Sequence, residues 1–240
     1  MNAERLWPGG PLLLQAGHAK LTTDTVLLAD FTRYGQAKQG VDLGCASGAL
    51  MLLLLWRDET LRMSGIELLP EAAALAEENL RLNGLSARGR VICGDLRVKQ
   101  DELPYGRYDF VVANPPYFPM HSGLMPPDAD RAAARGETAC TLAEICLTAS
   151  RLCRSGGKVF LSYRPERLAE LMQHCMAARL EPKRLRFVHH QSDTAASIVL
   201  LEARKDGNPG LSVEAPLLLV DDTGSESPEY RRIYHREQRR

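Results

Sequence analysis

The residues most open to a chemical reading are Asn114-Pro115-Pro116-Tyr117. Two prolines fix the backbone and remove two N–H donors, so the carbonyls there stay available as acceptors. The Asn114 side-chain oxygen can accept one proton of an exocyclic amine and the Pro115 carbonyl a second. The amine's lone pair is then aimed at an electrophile. Tyr117, beside Pro116, offers a ring to stack on a planar substrate. This is catalysis by orientation and electrostatics, with no nucleophile or general base. It suits an amino group on a planar carrier: adenine N6, cytosine N4, guanine N2 or the glutamine side-chain amide. The motif does not choose among them. An isolated Asn-Pro pair is often only a turn, but this one follows a strand that reads as buried.

A second group lies upstream. Asp42-Leu43-Gly44-Cys45-Ala46-Ser47-Gly48 follows a short apolar strand, and Gly44 and Gly48 let the backbone turn tightly beside a ligand. Glu67, 25 residues beyond Asp42, closes the next strand, where a carboxylate can accept both hydroxyls of a ribose. Asp95 closes the third strand, where a side chain can meet an adenine edge. A dinucleotide fingerprint would read G-x-G-x-x-G. Here the spacing is G-x-x-x-G with an acidic residue before it. A phosphate is repelled by that carboxylate and a sulfonium or ammonium group is not. The turn therefore favours S-adenosylmethionine over NAD, with Asp42, Gly44, Ser47, Gly48, Glu67, Asp95 and Asn114 as candidate contacts. No metal is called for.

These residues need a frame that brings strand ends together. Strand signals at Val41 to Leu43, Met63 to Leu68, Arg90 to Gly94, Tyr108 to Ala113 and Lys158 to Tyr163 alternate with helix signals at Ala49 to Arg57, Glu71 to Asn83, Thr141 to Arg154 and Pro165 to Arg179. Arg184 to His189 and Ser197 to Ala203 read as two last strands. The alternation predicts an α/β, Rossmann-like, mostly parallel sheet with helices on both faces. Gly156-Gly157 is expected to stop the fourth helix. We divide the chain into residues 1–35, an N-terminal segment; 36–205, the catalytic domain; and 206–240, a polar tail expected to be loosely packed or ordered only on binding. Residues 118–136 form a long irregular connection, the expected wall of a substrate pocket.

Formal net charge is zero, which excludes a globally basic nucleic-acid binder but not a local basic patch. The six cysteines include no C-x-x-C pair and are expected to be buried, reduced thiols. The start carries no secretory signal pattern, and the longest apolar run, Ala49 to Trp56, is too short to span a bilayer. A cytoplasmic setting with no membrane partner is expected.

The chain resembles the class I methyltransferases. Val41 to Gly48 looks like their first motif, and Ile66-Glu67, Gly94-Asp95 and Asn114-Pro115-Pro116-Tyr117 look like later ones in order. The resemblance implies a seven-stranded sheet whose last strand runs antiparallel. It extends to the bacterial adenine-N6 methyltransferases acting on valine tRNA, carried by Lys20 to Ala29, Ala134-Arg135-Gly136-Glu137, Arg164 to Leu168, Leu201 to Lys205 and Ser227-Pro228-Glu229-Tyr230 with Tyr234. Two departures are Cys45, where Gly or Ala is usual, and an Arg-rich ending where the family is aromatic-rich. By resemblance, Thr22 and Asp24 close over the methionine end of the cofactor, S-adenosylhomocysteine is the product, and the partner is RNA, with tRNA favoured. Thr22 or Thr23 would also cap a helix there.

Arg131 and Arg135 in the loop, Lys183, Arg184 and Arg186, and the Arg-rich end are candidate phosphate contacts or simply solvated charge. His121, His189 and His190 are read as incidental, since the mechanism needs no base. The alternatives to RNA adenine-N6 methylation are protein glutamine N5-methylation, which uses the same tetrapeptide, and cofactor binding without activity.

Overall fold

A computed structural model describes residues 2–17, 19–115 and 140–235. The sheet is built from β3 (Gln39–Leu43), β4 (Arg62–Glu67), β5 (Gly89–Cys93), β6 (Tyr108–Ala113), β7 (Cys153–Tyr163), β8 (Leu180–His189) and β9 (Ala196–Lys205). Their lateral order is β5-β4-β3-β6-β7-β9-β8. Neighbours from β5 to β7 are parallel, and β9 runs antiparallel to both β7 and β8. The strand order reverses at β3, which leaves a crevice beyond the carboxyl ends of β3 and β6.

Both faces are covered, so the strands carry continuous apolar runs. On β6, Phe110 and Val112 face one core and Val111 and Ala113 the other. The first core holds the apolar faces of α1 (Thr23–Phe31) and α2 (Ala49–Arg57), with Leu80 of α3 (Pro70–Leu82). In α2, Leu50 to Leu55 are all buried, as expected of a helix apolar all round. The second core holds Ile145, Cys146 and Ala149 of α4 (Leu142–Leu152) and Leu171 and Cys175 of α5 (Leu168–Ala177). Local signals set the helix ends. Pro70 opens α3, and at its end Leu85 N–H bonds the Leu80 carbonyl around Gly84 at φ 68°. Thr141 and Glu144 form a reciprocal capping box on α4.

Three expectations are corrected. Gly156-Gly157 do not stop α4, which ends at Leu152. They lie inside β7, where two residue steps on β6 face five on β7. Gly157 is required there because a Cβ would come within 2.5 Å of Cys153 Sγ. Pro165–Arg167 form a short 3-10 turn before α5, so the α-helix starts three residues later than the sequence suggests.

The tail is not loose up to residue 235. β10 (Ser212–Val213) and β11 (Leu217–Leu218) each add to β8 in parallel, and α6 (Pro228–Ile233) is capped by Ser227. Leu217 and Ile233 enter the first core. Arg186 pairs both guanidinium nitrogens with Glu229, and Arg232 does the same with Asp30. A few well-placed apolar residues and ion pairs outweigh the tail's polar composition.

The N-terminal residues are equally tied down. The hairpin β1 (Glu4–Arg5) and β2 (Leu12–Leu13) sits against α3, where Leu12 and Leu14 exchange backbone hydrogen bonds with the side-chain amides of Asn83 and Asn79.

Candidate functional site

The crevice is lined by the turn after β3. Gly44 and Cys45 N–H groups both bond the Ile66 carbonyl, and Gly48 N–H bonds the Cys45 carbonyl at 2.7 Å. Gly44 adopts φ 70° and Gly48 φ 73°, so the glycines are required by the turn itself. They differ in surroundings. A Cβ on Gly44 would meet nothing within 4 Å, consistent with an open face toward a ligand. A Cβ on Gly48 would lie 3.0 Å from Ala76 Cβ, so Gly48 serves the packing of α3 against the turn. Ala46 holds φ 48°, a strained position for a side-chain-bearing residue. Its N–H donates to Glu67 Oε2 at 2.9 Å, which fixes it.

Glu67 Oε1 accepts the Leu69 N–H at 3.0 Å. Each oxygen of a carboxylate has a second lone pair, so this arrangement still accommodates hydroxyl donors. Asp42 is 2% exposed, and its Oδ2 is buried with no hydrogen-bond partner. Burial and the neighbouring Glu67 charge push its carboxyl up to about 8, opposed by a backbone hydrogen bond from Met51 in the first turn of α2. An orphaned buried carboxylate oxygen at this turn fits a cationic or N–H-bearing ligand. Cys45 is buried, and its thiol is pushed well up by that burial and the same two carboxylates, so it is no nucleophile.

Asp95 lies one loop further, held at both oxygens by Arg97, and that hydrogen bonding keeps its carboxyl below the usual range. Arg97 was not singled out from the sequence. It leaves the Asp95 carboxylate partly committed before any adenine arrives.

Sheet register sets the other wall. Ala113 of β6 pairs with Leu43 on one side and Leu161 on the other, so Asn114 stands beside Gly44 and Ser162. The Asn114 amide nitrogen donates to Thr25 Oγ1 at 3.0 Å, and the Ser162 hydroxyl donates to Asn114 Oδ1. Neither Thr25 nor Ser162 was read as a site residue. Thr25 sits one turn after Thr22 on the same helix face, but Ser162 is adjacent only through strand order. Thr22 is the N-cap of α1, and its Oγ1 lies 3.0 Å from Thr25 Oγ1. Asp24 is in the first turn of that helix, where its charge complements the helix dipole. Ser47 is buried in the turn, with its carbonyl accepting from the Asn79 side chain at 2.9 Å. Pro115 is buried. Pro116, Tyr117, His121, Arg131, Arg135 and the 118–136 connection lie outside the described residues.

Two candidate phosphate contacts are consumed elsewhere. Arg184 pairs with Glu202 at 2.9 Å, donates to the Phe31 carbonyl, and stacks over the Phe31 ring at 3.8 Å. Arg186 is bound to Glu229. Both are largely buried, so they act as packing and pairing groups rather than as an RNA-facing surface. Lys183 Nζ donates to the Asn208 carbonyl. His189 Nδ1 lies 2.7 Å from the Thr194 carbonyl, consistent with an incidental role. Four cysteines are buried as expected, but Cys93 is exposed and Cys140 half-buried.

A cavity of about 310 Å³ opens at the opposite end of the strands, near Arg62, Arg88 and Arg90. Those guanidinium groups donate to backbone carbonyls, among them Ala87, Asp58 and Glu102, so they close off loops. The strand carboxyl ends, where the acidic residues and Asn114 converge, are the chemically competent place. No helix among the described residues is long and apolar enough to cross a membrane.

Comparison with known proteins agrees with this geometry. The methyltransferase small domain family matches residues 17–161. A tRNA1(Val) (adenine(37)-N6)-methyltransferase of Porphyromonas gingivalis is 31% identical over 225 residues, covering 89% of this chain and 86% of that protein. One of the same name from Tolumonas auensis is 31% identical over 212 residues, covering 88% and 86%. Among solved structures, one named as a predicted O-methyltransferase from Agrobacterium tumefaciens superposes with a TM-score of 0.73 at 25% identity, covering 89% of this chain and 96% of that one. The geranyl diphosphate C-methyltransferase of Streptomyces coelicolor, at 15% identity and a TM-score of 0.55 over 75% of this chain and 80% of that one, shares the fold. The chain belongs to the methyltransferase small domain family and is an S-adenosylmethionine-dependent methyltransferase of the same family as the Porphyromonas and Tolumonas enzymes.

Proposed function

We propose that this enzyme methylates the exocyclic N6 of an adenine in tRNA. The observation that carries the reading is Asn114 at the carboxyl end of β6, adjoining the acidic turn of β3. The names of relatives aligned along nearly the whole chain support the tRNA adenine.

In this reading Asp42, the Gly44 turn, Ser47 and Gly48, Glu67 and Asp95 hold the cofactor, with Thr22 and Asp24 over its methionine end. When bound, S-adenosylmethionine supplies an electrophilic methyl group on a sulfonium, and S-adenosylhomocysteine is the product. Asn114 Oδ1 and the Pro115 carbonyl each accept one proton of the adenine amine, which pyramidalises the nitrogen and turns its lone pair toward the methyl carbon. Held so, the amine would present its lone pair to the methyl group the cofactor supplies, and its surplus proton would pass to water. Tyr117 and Pro116 would stack on the extruded base, since an adenine inside folded RNA must leave its stack to be reached. Arg131 and Arg135 would contact phosphate. Residues 1–35 contribute to the cofactor site, 36–205 carry the transfer, and 206–240 form a C-terminal tail.

The test is incubation with methyl-labelled cofactor and separated bacterial tRNA, other RNA and protein, followed by mapping of the modified base. N6-methyladenine in tRNA is expected, with valine tRNA the first species to examine. Label only in protein glutamine would overturn the substrate. In N114A, transfer should vanish while S-adenosylhomocysteine still binds.

A further inference from the structure

Two hydroxyl groups from distant parts of the chain grip the two ends of the Asn114 amide. Thr25 stands on the first turn of α1 and Ser162 near the end of β7. Thr25 is 9% exposed and Ser162 fully buried. Asn114 Nδ2 donates to Thr25 Oγ1, which in turn shares a hydrogen bond with Thr22 Oγ1, 3.0 Å away. The hydrogen bonds then run from Ser162 through Asn114 to Thr25, whose hydroxyl meets that of Thr22. Hydrogen bonds in such a chain polarise one another, and donation from the amide nitrogen raises the electron density on its oxygen.

The amide's two ends are alike in shape and opposite in hydrogen-bonding sense. Turned half a revolution, Asn114 would present N–H groups to an amine that must find an acceptor. An amide left to rotate would also lose the angle at which the amine's lone pair is aimed.

We propose that Thr25 and Ser162 are positioning residues for methyl transfer, holding the Asn114 amide against rotation, and so at its angle, before substrate arrives. This rests on Asn114 being the amine acceptor. It also gives α1, which lies outside the strand-end motifs, a direct link to the reacting group.

Thr25→Val keeps the side chain's shape and removes the acceptor, and Thr25→Ser restores it. At saturating cofactor and tRNA, single-turnover transfer by T25V should fall by about 10- to 100-fold, the penalty of a misplaced reacting group. Its Kd for S-adenosylhomocysteine should stay within about twofold, and T25S should recover most of the rate, a split that general loss of structure would not produce. S162A should behave like T25V if the latter folds poorly. Independently of any substrate, the Asn114 side-chain NH2 signals, assigned by their absence in N114A, should shift in T25V and return in T25S. Wild-type transfer by T25V alongside a dead N114A would overturn the inference and leave the role of Asn114 standing. An active N114A would overturn both. Unshifted Asn114 amide signals in T25V would overturn the inference even with no transfer measured.

Discussion

Asp42 and Glu67 place two buried carboxylates beside the same backbone turn, and the charge of one raises the proton affinity of the other. Glu67 is held by the Ala46 and Leu69 N–H groups, whereas Asp42 Oδ2 has no partner. The turn therefore carries a localised need for positive charge or N–H donors.

Stability of the cofactor-free protein should report this directly. Burial and the Glu67 charge push the carboxyl of folded Asp42 up to about 8, against an ordinary value of 3.8. A raised pKa means that the folded state binds more protons, so its contribution is complete below about pH 4 and is lost as pH rises to about 8. Asp42→Asn should match the wild type in acid and become the more stable by on the order of 5 kcal/mol at pH 8. Urea unfolding across that range measures it. A pH-independent difference would contradict a protonated Asp42.

Cofactor binding should release a proton near neutral pH. Asp42 is protonated there before binding, and a cationic ligand favours its ionised form. Calorimetry with S-adenosylmethionine in buffers of different ionisation enthalpy should show a net release that disappears in D42N. Proton uptake, or the same release in the variant, would mean another group is responsible.

Asn79 is fully buried and joins three segments, bonding Leu14 N–H and both the Leu14 and Ser47 carbonyls. Asn79→Ala should cost about 3 kcal/mol, because it leaves buried backbone groups unsatisfied. Hydrogen exchange at the Leu14 amide should quicken well beyond the global destabilisation, since that amide loses its acceptor. Unchanged protection at Leu14 would mean the N-terminal hairpin is held by other contacts.

Arg186→Gln should leave the salt dependence of tRNA affinity unchanged, because its guanidinium is already spent on Glu229. Glu229→Ala should instead loosen α6 and expose Arg231 and Arg232 to trypsin. A shallower salt slope in R186Q would restore Arg186 to the RNA surface.

Much of the frame was legible because its signals are local. Tyr108 to Ala113 reads as a strand covered on both faces and is one, and Pro70 and Gly84 mark the ends of α3 through nearest-neighbour chemistry. That Asp42, Glu67 and Asn114 lie near one another was legible because each stands at a strand's carboxyl end, and parallel strands deliver those ends to one edge. The Gly156-Gly157 bulge was not, since a glycine pair marks a helix stop and a strand irregularity alike. The docking of the tail up to residue 235 is not legible, because composition averages over residues whereas docking depends on which few of them meet partners.

By itself, the sequence determined the kinds of groups at the strand ends: an acidic turn, an Asn-Pro-Pro-Tyr segment and the strands to carry them. The tertiary structure decided what each group is free to do. Strand order put Ser162 beside Asn114, α1 brought Thr25 to the other end of the same amide, and pairing withdrew Arg184 and Arg186 from the surface. Each of these depends on contacts between residues far apart along the chain. No local pattern encodes them, because the hydrogen bonds and ion pairs exist only once burial has fixed both partners in place.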